Sequence, residues 1–147
     1  MQDSLFQLAS RILVVDDEVH IARFLEFLLN REGYQTAIAH DGLEALERYH
    51  TFKPDGILLD LLLPKLSGLD VLRRIHEETE PDARAPFILL LTGMNLQDIP
   101  IDIMKLGTIA HCPKPVAPST LIRMLQKHGL YGYSRPQASF AQSRAAF

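Results

Sequence analysis

The chain has no tryptophan and a single cysteine, Cys112, in 147 residues. One thiol excludes an intramolecular disulfide framework and fits a reducing compartment. No apolar run approaches the length that crosses a bilayer, and the opening MQDSLFQLAS carries Asp3 without the basic start of a secretory signal. An excess of one charge is missing too: 15 basic residues stand against 18 acidic ones, for a net charge of -3. There is thus no electrostatic footprint for nucleic acid or anionic lipid. A cytoplasmic protein with no direct DNA binding and no membrane contact is the expectation. Neither G-x-x-x-x-G-K-[ST] nor G-x-G-x-x-G occurs, which removes the nucleotide-binding reading of strands that end in an acid. What is present, 47% hydrophobic and 22% charged, suits one globular domain with a real core.

Apolar runs of strand length alternate with amphipathic stretches five times, the signature of a parallel sheet flanked by helices. RILVV ends at Val15 and precedes a helix with Ile21, Leu25 and Leu28 on one face, stopped at Gly33. YQTAIA is the second strand. Asp41 and Glu44 then have capping-box spacing ahead of a helix carrying Leu43, Leu46 and Tyr49. DGILLD leads to a helix with Leu69, Leu72 and Ile75 inward. FILLLT leads to a helix that must be short, because Pro100 is tolerated only in a first turn and Gly107 closes the segment, with Asp98 as the expected cap. TIAHC and PSTLIRMLQKHG complete the series. The expected organisation is a leader at 1–10, a domain at 11–130, and a tail at 131–147 that is either an interaction arm or disordered.

In an open parallel sheet the functional crevice lies beyond the carboxyl ends of the strands. Asp16 and Asp17 close strand one, Asp60 strand three and Thr92 strand four, while Lys114 follows strand five. Paired acids at a strand end are often only a helix N-terminus, and a lysine between prolines is often only a solvated loop residue. Four strand ends carrying reactive groups together outweigh those readings. Crowded carboxylates stay ionised when a cation sits among them, and oxygen ligands of this kind suit Mg²⁺. His20, His40, His50, His76 and His128 show no metal-cluster spacing. His111 and Cys112, adjacent on a strand, point to opposite faces.

LVVDDE, LLDLLLPKLSG, LLT and CPKP, in this order and spacing across about residues 11 to 130, resemble the signatures of response-regulator receiver domains, the phosphoacceptor modules of two-component signalling. The resemblance implies a doubly wound, flavodoxin-like α/β fold with strand order 2-1-3-4-5. It also implies that Asp60 accepts a phosphoryl group from a sensor histidine kinase or a phosphotransfer protein, forming an acyl phosphate. Asp17 and Asp60 would ligate Mg²⁺ directly, Asp16 directly or through water, with the backbone carbonyl of Leu62. Lys114 and Thr92 would stabilise charge on the phosphoryl oxygens. The Lys114–Pro115 bond would be cis.

Output would pass to a downstream protein target, and the fourth helix, fifth strand and fifth helix are the usual face for this and for a homodimer. The module would not be an enzyme beyond its own phosphorylation and dephosphorylation. One departure is His111, where the family's switch residue is usually Tyr or Phe. Gly93 is small, as expected after Thr92. Leu62 and Met94 are apolar where side chains influence water attack, and would shield the acyl phosphate. A receiver-like module not switched by phosphate, and a small Mg²⁺-dependent phosphohydrolase, are the alternatives; the second lacks an acid at Leu62.

Overall fold

The apolar runs pair as five parallel strands: β1 (Arg11–Val15), β2 (Gln35–Ala39), β3 (Gly56–Leu59), β4 (Phe87–Thr92) and β5 (Ile109–Pro113), in the order β2-β1-β3-β4-β5. The computed structural model describes residues 9–106 and 109–133. The expected leader before residue 9, most of the expected tail, and Gly107 lie outside the described residues. Val15 is in register with Leu59, and Thr92 with Pro113, so the residues that follow these strands emerge at one edge of the sheet.

Helices α1 (Val19–Arg31), α2 (Gly42–Phe52), α3 (Gly68–Glu78), α4 (Ile101–Met104) and α5 (Pro118–Lys127) cover both faces. Alternation along each strand divides the core in two. Ile12, Val14, Leu58, Leu89, Leu91 and Cys112 pack with Leu25, Leu28 and Leu29 of α1 and Leu121 and Leu125 of α5. Leu13, Val15, Ile57, Leu59, Ile88 and Leu90 pack with Ala45 of α2, Val71, Leu72 and Ile75 of α3, and Ile103 of α4. His111 and Cys112 do face opposite sides: Cys112 joins the first core, while Ile109, two residues before His111, packs against the second. Each fully buried leucine or isoleucine contributes about 2 kcal/mol.

Two expectations are corrected. Leu43 is 54% exposed, and α2 is held instead through buried Gly42 and Ala45 with Leu46 and Tyr49 partly buried. The reason is rotational phase: Gly42 fits tightly against Leu66, which turns Leu43 outward. Asp98 caps nothing. It ends a 3₁₀ turn, Leu96–Asp98, and Pro100, with φ -54 and ψ 136, takes the N-cap position of the single-turn α4 without a side-chain bond.

Beyond Leu130 the chain crosses the edge of the sheet opposite the carboxyl ends of the strands. Ser10 N–H donates to the Tyr131 carbonyl at 2.8 Å, Tyr131 N–H to Ser10 Oγ at 3.0 Å, and Tyr133 N–H to the Gly33 carbonyl at 2.8 Å. Gly33 has φ +92, and a Cβ on Gly132 would collide with the Glu32 carbonyl oxygen. The buried Tyr34 hydroxyl donates to the Leu130 carbonyl at 2.7 Å. Burial, aided by Glu32 and Tyr131, pushes the Tyr34 hydroxyl from 10.0 up to about 12.

Leu89→Ala should cost about 3 kcal/mol in denaturant unfolding, and Gly132→Ala about 2 kcal/mol through the backbone collision. A tyrosine whose folded pKa is raised contributes stability that is complete below its ordinary value and is lost as pH climbs toward the folded value. The stability of the protein should therefore fall between pH 10.0 and about 12, with a shallower fall in Tyr34→Phe.

Candidate functional site

Asp16 follows β1 and Asp60 follows β3; both are nearly buried, at 2% and 7% exposed, because their strands lie side by side at the centre of the sheet. Asp17 is exposed beside them, and one carboxylate oxygen from each of the three lies within 4.8 Å of the others. Local turns aim the two buried acids. Asp16 Oδ1 accepts from Glu18 N–H at 2.9 Å, and Asp60 Oδ1 accepts from Leu62 N–H at 3.0 Å.

Their other oxygens converge on a single ammonium: Lys114 Nζ stands 2.7 Å from Asp16 Oδ2 and 2.9 Å from Asp60 Oδ2, with Glu18 Oε1 at 4.0 Å. Burial works against the charge on Lys114, but the hydrogen bonds and charges of Asp16 and Asp60 prevail and raise its pKa. The Lys114–Pro115 peptide is cis. Thr92 is fully buried at the end of β4; its hydroxyl accepts from Met94 N–H at 3.3 Å, and its carbonyl accepts from Lys114 N–H at 3.4 Å.

The strand ends thus bring together Asp16, Asp17, Asp60, Thr92 and Lys114. Leu62 is 64% exposed at the rim, Met94 is partly buried, and Gly93 has open space around its Cα. The Leu62 carbonyl accepts no hydrogen bond from a described residue. The three carboxylates are hard oxygen donors, as the Leu62 carbonyl would be, and such donors fit Mg²⁺ better than a softer ion. His111 lies on β5 in register with Leu90 of β4, half-buried, with its Nε2 atom buried and lacking a hydrogen-bond partner among the described residues. No periodicity in the sequence pointed to His40, whose Nδ1 lies 3.1 Å from the Asp16 carbonyl oxygen. Nor did any motif single out the ion pair of Lys65 with Asp41, at 3.3 Å.

A family model described as the response regulator receiver domain matches residues 12–126. The chain belongs to the response regulator receiver family. Among solved structures, the receiver domain of a response regulator from Bermanella marisrubri is 33% identical, covering 81% of this chain and 97% of that one, with a TM-score of 0.70. The chemotaxis response regulator CheY4 of Vibrio cholerae is 26% identical over 81% and 98% of the two chains, with a TM-score of 0.72. A CheY-like receiver domain from Methanospirillum hungatei is also 26% identical, over 82% and 94%, with a TM-score of 0.74. The doubly wound sheet is therefore that of a CheY-like receiver of two-component signalling, a module that works with kinases or phosphotransfer proteins and is not generally a true enzyme. Among the described residues of this receiver, no helix is long and apolar enough to cross a membrane.

Removing the shared cation leaves two nearly buried carboxylates facing each other. Lys114→Met should lower stability by roughly 2–4 kcal/mol at pH 7 in metal-free buffer, and added Mg²⁺ should recover more stability in the variant than in the wild type, as read by thermal melting.

Proposed function

We propose that this receiver accepts a phosphoryl group on Asp60 from a phosphohistidine of a histidine kinase or phosphotransfer protein, with Mg²⁺ as cofactor, and passes the signal on by protein contact. The convergence of Lys114 Nζ on the oxygens of Asp16 and Asp60, at 2.7 and 2.9 Å, is the observation that carries the reading. In the reaction an Asp60 carboxylate oxygen forms the new bond to phosphorus while the phosphorus–nitrogen bond to the donor histidine breaks. The Lys114 ammonium would offset the charge that gathers on the transferred group, and the Thr92 hydroxyl, at the end of the neighbouring strand, would donate to a second phosphoryl oxygen. Asp16, Asp17, Asp60 and the Leu62 carbonyl would hold Mg²⁺, which when bound neutralises negative charge among the acids and the phosphoryl group.

A phosphohydrolase reading would need a second acid near the nucleophile. Leu62, not an acid, occupies the position two residues after Asp60, which counts against that reading. His111 at the switch position favours, by itself, a module that is not switched by phosphate. We infer instead that His111 relays the state of Thr92 to the face formed by α4, β5 and α5.

Intact mass after incubation with acetyl phosphate tests the reading. Wild type with Mg²⁺ should gain one labile phosphoryl group, while Asp60→Asn, or wild type without Mg²⁺, should gain none. Failure with acetyl phosphate and with a phosphohistidine donor would make the phosphate-independent module the better account.

A further inference from the structure

The loop from Leu62 to Ser67 joins the acid pocket to α3, and one residue in it breaks a backbone rule. Lys65 has φ +68, in the left-handed region, and Leu66 N–H reaches back to the Pro64 carbonyl at 2.7 Å. These features describe a three-residue γ-turn of the rare, strained hand with a lysine at its centre. Glycine would adopt that conformation without cost. A residue that carries strain where glycine would not invites a role for its side chain.

That side chain leaves the loop and meets α2. Lys65 Nζ lies 3.3 Å from Asp41 Oδ2, while Asp41 Oδ1 accepts from Glu44 N–H at 2.8 Å as the N-cap of α2. The Glu44 bond, then the Lys65 pairing, hold the Asp41 carboxyl below its ordinary value, so it is charged at neutral pH. Two other contacts join the middle of the loop to α2: a long hydrogen bond from Gly42 N–H to the Pro64 carbonyl at 3.4 Å, and the close packing of Gly42 against Leu66, neither of which fixes the turn at Lys65 itself. The two ends of the loop are firmer. Leu62 N–H is held by Asp60 Oδ1 at 3.0 Å, and Gly68 N–H by the Leu61 carbonyl at 3.0 Å. Between these anchors sits the Leu62 carbonyl, which accepts no hydrogen bond from a described residue and directly follows the N–H that Asp60 Oδ1 holds.

We propose that Lys65 is a positioning residue of the acceptor site: its strained turn, clasped to α2 through Asp41, holds the Leu62 carbonyl in place for Mg²⁺. The inference rests on the metal reading of the pocket given above. Lys65 touches neither metal nor phosphoryl group and acts through the loop backbone.

Lys65→Gly separates this role from a stabilising one, because glycine relieves the turn while removing the clasp. Titration calorimetry with Mg²⁺ alone, beside metal-free thermal melting, is the experiment. Lys65→Gly should melt at or above the wild-type temperature yet bind Mg²⁺ on the order of three- to ten-fold more weakly. Lys65→Arg, which keeps the ion pair, should bind as wild type. Asp41→Asn, an equal helix cap without the charge, should weaken Mg²⁺ in the same direction. Wild-type affinity in Lys65→Gly would overturn the proposal while leaving the metal site intact. An absence of Mg²⁺ binding by the wild type at millimolar metal would remove the metal reading, and the proposal with it.

Discussion

Like charges brought out of water at the end of a sheet repel strongly, and in this receiver the repulsion is met by one ammonium shared between Asp16 and Asp60. Much of the architecture serves that arrangement. The β1–β3 register aligns Val15 with Leu59, so the following acids emerge side by side. Lys114, which follows β5 on the edge of the sheet, reaches across β4 to them. The two cores above and below the sheet supply the rigidity that keeps these strand ends from separating.

The same constraint explains how the loops are built. Each buried acid uses one oxygen to accept a backbone N–H from the residue two places on, which both satisfies it and frees the other oxygen for Lys114. A second tier of contacts ties the loops to one another: His40 to the Asp16 carbonyl, Lys65 to Asp41, and Gly42 against Leu66. A binding site made of loops gains precision from such cross-ties, since loops alone are the most mobile part of a parallel α/β domain.

At the opposite edge of the sheet the chain is fastened differently. Residues Tyr131 to Tyr133 cross between Ser10 and Gly33 on backbone hydrogen bonds, with glycines where side chains would collide. The family match ends at residue 126, so this fastening lies outside the part shared with the family model. It links both ends of the domain to the turn after α1, where the Tyr34 hydroxyl is buried.

The sequence alone determined the strands, their alternation with helices, and the acids at their ends, because burial on both faces demands unbroken apolar runs and parallel sheets place function at the carboxyl edge. Resemblance to the receiver motifs supplied the order of the strands and the roles proposed for Asp60, Thr92 and Lys114. The tertiary structure decided what depends on the rotation and approach of elements distant in the chain. Leu43 faces outward because Gly42 seats against Leu66, and Asp98 gives way to Pro100 because α4 is a single turn. The Lys65–Asp41 pair spans 24 positions and the Tyr34–Leu130 bond spans 96. No local period encodes contacts of that range; they exist only once the packed cores have fixed where each loop stands.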